Sequence, residues 1–123
     1  MAHIYLDANC AIQLLQDNNP QLVVKLTDQQ VYLSALSVHI LAYVNKVKLP
    51  NPYYSHFLEH FTYIDLSTAV LTKALKGPTS DLEDNIQLQS AVMEDCDIFV
   101  TLDKKLLQLK AIGSLKILSP SEL

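Results

Sequence analysis

PTSDLEDNIQLQSAVMEDCDIFVTLD, residues 78–103, decides how the rest of the chain is read. Pro78 closes whatever precedes it. Ser80, with Glu83 three residues later, has the S-x-x-E spacing of a capping box, in which the Ser oxygen and the Glu carboxylate each take an unpaired backbone N–H. The spacing predicts a helix of about four turns with Ser80 as its N-cap. At about 100° per residue, Asp81 and Asp84 lie within roughly 60° of each other on the stripe that continues through Leu88 and Ala91, while Glu83 falls about 100° away. Asp97-Ile98-Phe99-Val100-Thr101 then has the β-branched and aromatic content of a buried parallel strand, which sets Asp103 at its carboxyl end. Open α/β sheets bind ligands at that end. The helix dipole favours acids in a first helical turn whatever a protein does, so neither Asp81 nor Asp84 carries weight alone. Their combination with Asp103 does.

The same arrangement recurs near the start. His3-Ile4-Tyr5-Leu6 reads as a short buried strand, Asp7 follows directly, and 8–16 reads as a helix with Ile12, Leu14 and Leu15 apolar. Asp7 therefore stands between a strand and a helix, as Asp103 does. Asn18-Asn19-Pro20 breaks that helix, and a second is predicted over 21–29. Val31 to Ser34 is the next strand, and Leu36, Ile40, Tyr43, Val44 and Val47 have amphipathic helical spacing. Asn51-Pro52 starts another helix, 61–66 reads as a strand, and 67–76 as a helix capped by Ser67. Asp65 falls inside that strand region and reads as structural. Beyond Asp103, a short helix over 104–109, a last strand at 115–117 and a tail from Ser119 complete the pattern. Alternating strands and helices predict an α/β fold: a mainly parallel sheet, Rossmann-like, flanked by helices on both faces. At 123 residues the chain is expected to form one domain, 1–123.

Half the residues are hydrophobic and only two are Gly, so apolar surface is available for a partner. No apolar run approaches a membrane span and no charged-then-apolar stretch precedes the first strand, so neither a membrane span nor an export signal is expected. Cys10 and Cys96 lack metal or redox spacing and read as two reduced, packed thiols. A cytoplasmic location is expected. The formal charge of −4 argues against a generic cationic nucleic-acid binder, but not against an enzyme whose acids are partly neutralised by bound cations.

In a parallel sheet, Asp7, Asp84 and Asp103 can converge at one edge, and converging carboxylates need a cation. Mg²⁺ and Mn²⁺ take hard oxygen ligands and keep several waters, which suits a few Asp better than His or Cys. Such ions activate water and stabilise charge developing on a phosphodiester. Ser34 and Thr101, at strand ends, either orient waters or carboxylates or simply cap helices. A second motif, His56-Phe57-Leu58-Glu59-His60, matches H-x-x-E-H, the inverted zinc-protease pentad. No third ligand is placed for it, and the simpler reading packs Tyr53, Phe57 and Phe61 inward with both His near solvent.

I-Y-L-D-A-N near the start, L-S-A-L-S-V-H-I-L in the middle, and S-D-L-E-D-N-I-Q-L-Q-S-A followed by C-D-I-F-V-T-L-D-K-K-L resemble PIN domains, the nuclease fold of VapC-type toxins. The likeness in motif order spans nearly the whole chain. It implies that Asp7, Asp84 and Asp103 are catalytic and metal-binding, with Asn9 the polar residue beside Asp7 and Asp81 an additional supporting acid. It further implies Mg²⁺ or Mn²⁺, an RNA substrate, a homodimer, and a small antitoxin whose tail blocks the acidic pocket. One departure stands out. Most active PIN domains carry a Glu on the helix after the second strand, where this chain has His39-Ile40. His39 either supplies a ligand or phosphate contact or is merely packed or solvated.

Two functions follow from different classes. The first is a metal-dependent endoribonuclease, the toxin of a toxin–antitoxin pair. The second is a PIN-fold module that binds RNA or protein and cuts poorly for want of the Glu. Haloacid-dehalogenase-type phosphatases need D-x-D after the first strand, where this chain has Asp7-Ala8-Asn9. Response-regulator receivers need an acidic pair there.

Overall fold

The computed structural model describes residues 1–123. In chain order the elements are β1 His3–Leu6, α1 Ala8–Leu15, α2 Pro20–Leu26, β2 Gln30–Ser34, α3 Ala35–Val44, α4 Pro52–Leu58, β3 Thr62–Ile64, α5 Thr68–Ala74, α6 Leu82–Met93, β4 Ile98–Val100, α7 Lys104–Leu107, β5 Ala111–Ile112 and β6 Leu115–Leu118, closed by a 3₁₀ turn at Pro120–Glu122. The strands form one sheet in the order β3-β2-β1-β4-β6-β5, parallel except for the β5–β6 pair. From β1 the chain winds outward to β2 and β3, then returns to place β4 on the other side of β1. The reversal puts the switch point of the sheet at the carboxyl ends of β1 and β4, the place where open α/β sheets bind ligands.

Alternation along the strands sends neighbouring side chains to opposite faces. Ile4, Leu6, Val31, Leu33 and Val100 face one way and pack under α1 to α4 through Cys10, Leu15, Leu22, Leu41 and Tyr54. Tyr5, Tyr32, Phe99 and Ile117 face the other way and pack under α6 and α7 through Leu88, Ala91 and Leu106. Tyr5 and Phe99, cross-strand partners in the parallel register, stack at 5.2 Å with an interplanar angle of 3°. Helices thus cover both faces of a mainly parallel sheet, as the alternating pattern predicts.

The differences lie at element ends. Asn19-Pro20 does not only break a helix. It starts the next one: Asn19 caps it with its side-chain oxygen on the Leu22 N–H, and Pro20 takes the first position, where a missing N–H costs nothing. That helix stops at Leu26 rather than running to 29. Asp65 follows β3 instead of lying within it, and Tyr53 is exposed rather than packed inward. β5 is too short to leave a sequence pattern; it is held by a tight turn in which Gly113 takes a φ of +59°. The segment from Ser119 is no loose tail: Ser119 and Glu122 cap each other, and Lys25 Nζ donates to the Pro120 carbonyl at 2.9 Å. Cys10 and Cys96 are both buried free thiols, with burial pushing each up to about 12. No helix is long and apolar enough to cross a membrane.

Candidate active site

Asp7 is where the site begins. The β1–β4 ladder extends one step past β1, with Asp7 N donating to Val100 O at 2.9 Å, so the backbone position of Asp7 is fixed by the sheet. Its side chain caps α1, one oxygen accepting from Ala8 N at 2.8 Å and the other from Thr101 Oγ1 at 2.6 Å. Only 3% of the residue is exposed. Burial holds this carboxyl above the usual range and the charge of Asp103 adds to that, while Thr101, Ala8 N–H and the Gln87 amide oppose it by favouring the ionised form.

Thr101 joins two of the acids. Its hydroxyl donates to Asp7 and accepts from Asp103 N at 3.0 Å. Asp103 caps α7, its Oδ1 accepting from Lys105 N at 2.9 Å, and it stays half-exposed. Asn9 Oδ1 accepts from Leu102 N at 3.4 Å, tying the β4–α7 loop to α1. The role of Thr101 is therefore to orient a carboxylate. Ser34 does the other thing: buried at the end of β2, it caps α3 through Oγ on Leu36 N.

Asp84 approaches from α6. The helix does not start at Ser80: its N-cap is Asp81, whose Oδ1 accepts from Asp84 N at 2.9 Å. Asn85 explains the shift. Buried in the first turn, it accepts from Thr79 N and Thr79 Oγ1 and donates to the carbonyls of Ala74 and Thr79, which pins the preceding loop and leaves Asp81 at the cap. A carboxylate there also complements the helix dipole. Ser80–Glu83 is thus no capping box, and Asp81, not Glu83, is the capping acid. Asp84 itself is half-buried, and its carboxyl is pushed up to about 6 by burial first, then by the charges of Asp81, Asp7, Asp103 and Glu83.

The three aspartates therefore lie near enough to feel one another's charge. No group of three His, Cys, Asp or Glu side chains is gathered tightly enough to hold a cation alone. The donors are hard carboxylate oxygens carrying mutual repulsion that a cation relieves, and a Mg²⁺ ion that keeps much of its water shell suits such an open set. His39 is exposed on α3 with its ring 6.3 Å from Tyr43, and it makes no hydrogen bond to any of these residues. Nor does α3, ALSVHILAYV, bring an acid of its own.

Beneath the acids lies a polar layer that the sequence did not reveal. Tyr5 OH accepts from Ser34 N at 3.1 Å and donates to Gln87 Oε1 at 3.5 Å, while Gln87 Oε1 also accepts from Ala8 N at 3.0 Å. Ser37 Oγ on α3 is buried with no hydrogen-bond partner. Gln87 was in principle findable, since it lies one turn beyond Asp84 on the same stripe.

No protein-family profile and no curated protein matches the sequence. Solved structures do. VapBC2 from Rickettsia felis bound to a promoter DNA fragment contains a chain matching at TM-score 0.66 and 19% identity, over 95% of this chain and 98% of that one. DNA-bound VapBC from Salmonella typhimurium matches at TM-score 0.68 and 16% identity, over 98% and 99%. This chain has a PIN fold. FitAB bound to an IR36 DNA fragment repeats the likeness at TM-score 0.63 and 17% identity, over 98% and 96%.

Proposed function

We propose that the chain is a Mg²⁺- or Mn²⁺-dependent endoribonuclease and the toxin half of a toxin–antitoxin pair, working in the cytoplasm. The observation that carries this reading is geometric: at the sheet's switch point Thr101 Oγ1 donates to Asp7 and accepts from Asp103 N, tying these two acids together, while the first turn of α6 brings up Asp84. Carboxylates assembled against their own repulsion at a ligand-binding edge fit a cation-dependent reaction better than a structural role. The PIN-type fold of toxin–antitoxin complexes supports the same assignment.

Asp7, Asp84 and Asp103 would hold the metal, with water completing its shell. When bound, the cation supplies an activated water and neutralises charge developing on the scissile phosphodiester. The chain's own side chains do the rest. Thr101 keeps one oxygen of Asp7 turned toward β4 and fixes Asp103 through its N–H. Asn9 anchors Leu102, and Asp81 sets the first turn of α6 from which Asp84 projects. Asp84, its carboxyl raised by burial and by the neighbouring acids, gains most from a cation that neutralises this cluster. Exposed Lys104 and Lys105, next to Asp103, are placed for phosphates of RNA reaching this edge of the sheet. The antitoxin and a second copy of the chain are the partners of this reading, and exposed Val24, Tyr43, Val44 and Leu49 supply apolar surface for them.

One observation favours a second reading. Because α3 contributes no carboxylate, the acid set is one short of the usual PIN complement, and a weakly cutting RNA- or protein-binding module follows if three acids do not suffice. Cleavage of single-stranded and hairpin RNA with Mg²⁺ or Mn²⁺ separates the two. The nuclease reading expects metal-dependent cutting that Asp7→Asn and Asp84→Asn each abolish. RNA bound but left intact by the unaltered chain supports the module.

A further inference from the structure

The chain holds a second set of side chains with metal-ligand chemistry, at the end of α4 and apart from the acids. α4 runs into a turn at Glu59 and His60, so His56 and His60 lie about one turn apart on the same side. Their rings are 5.3 Å apart at 84°. Nδ1 of one ring is hydrogen-bonded and that of the other lies near a carboxylate. His60 Nδ1 donates to the Phe57 carbonyl at 3.1 Å, and His56 Nδ1 faces Glu59 Oε2 at 3.4 Å. A neutral imidazole with its proton on Nδ1 presents Nε2 as a lone pair. Histidines whose other N–H is held by a carbonyl or carboxylate are the ones oriented for metal.

The scaffold is firm where it matters. Phe57 and Phe61, 5.1 Å apart, pack against the core and fix the turn that carries both histidines, while the imidazoles themselves face solvent. Two imidazoles bound to one tetrahedral Zn²⁺ through nitrogens at about 2.0–2.1 Å have ring centres roughly 5 Å apart. The observed spacing meets that requirement.

We infer that His56 and His60 form a surface site for one divalent transition cation, Zn²⁺ in the first instance, with the two Nε2 atoms as ligands and Glu59 as the positioning carboxylate. No third His, Cys, Asp or Glu completes the set, so water fills the remaining positions and the ion exchanges freely. Imidazole donors favour Zn²⁺, Ni²⁺ or Cu²⁺ over Mg²⁺, so excess Mg²⁺ does not compete for the two histidines.

The test is calorimetric titration of the full chain with Zn²⁺ near neutral pH, repeated with Co²⁺ to read ligand-field absorption. In excess Mg²⁺, a one-to-one Zn²⁺ binding component is expected that is weakened at least tenfold by His56→Ala and by His60→Ala. Loss of the orienting carboxylate in Glu59→Gln weakens it about 10-fold or more. Asp84→Asn leaves it unchanged. His56, Glu59 and His60 are all exposed, and circular dichroism checks that the variants are folded. The inference is overturned if the unaltered chain binds no Zn²⁺, if both histidine variants bind as tightly as it does, or if binding is lost only in Asp84→Asn.

Discussion

Replacing Asp84 by Asn should make the protein more stable at neutral pH and leave its stability unchanged in acid. The folded state raises this carboxyl from 3.8 to about 6, so it binds a proton more tightly than the unfolded chain does. Ionising it therefore costs stability, starting as pH rises through the unfolded value and complete once pH exceeds the folded one. A shift of that size corresponds to about 3 kcal/mol for a fully buried group. Asp84 is half open to solvent, and screening reduces the cost to about 1 kcal/mol. Asn keeps the size and the backbone N–H to Asp81 while removing the charge that Asp81, Asp7 and Asp103 repel. The variant should gain about 1 kcal/mol at pH 7–8, about 4 °C in Tm for a chain of this size. The gain should shrink between pH 6 and pH 4 and vanish below. Urea denaturation across that range measures it directly, and millimolar Mg²⁺ should reduce the gain at pH 8 by stabilising the unaltered chain. A difference between the two proteins that does not vary with pH, or a variant less stable at pH 8, refutes the reasoning.

Two further outcomes follow from the hydrogen bonds. Thr101→Val strips the buried Asp7 carboxylate and the Asp103 N–H of a shared partner, and should cost about 1–3 kcal/mol in denaturant titrations, most of it restored by Thr101→Ser. Asp81→Ala should lower stability by about 1 kcal/mol because it removes the N-cap of α6, while Ser80→Ala should fall within about 0.5 kcal/mol of the unaltered chain.

The architecture was legible because it depends on patterns that the chain states openly. Tyr5, Tyr32 and Phe99 alternate with Ile4, Leu6, Leu33 and Val100, and short apolar runs separated by helical segments leave few topologies other than a covered parallel sheet. The positions of two acids were legible for a related reason: Asp7 directly follows β1 and Asp103 stands three residues past β4, both at the sheet's carboxyl edge. What the sequence concealed was contact between distant residues. Ser80 and Glu83 satisfy a capping pattern locally, but Asn85 reaches back to Thr79 and Ala74 and moves the helix start to Asp81. Gln87 looks like any helix-surface glutamine until its oxygen meets Tyr5 and Ala8, brought together by folding across a long sequence separation. Asn19-Pro20 has two readings, a stop or a start, and only the fit of Leu22 and Leu26 against the core chooses the start.

The proposed reaction requires that Asp7, Asp84 and Asp103 share one hard divalent cation. Titrating the chain with Mn²⁺ and following the loss of the free-ion electron paramagnetic resonance signal measures this most directly. One bound Mn²⁺ per chain, competed by Mg²⁺ and weakened at least tenfold in each of Asp7→Asn, Asp84→Asn and Asp103→Asn, is the predicted result. Mn²⁺ bound equally well by all three variants, or not bound at all by the unaltered chain, contradicts it.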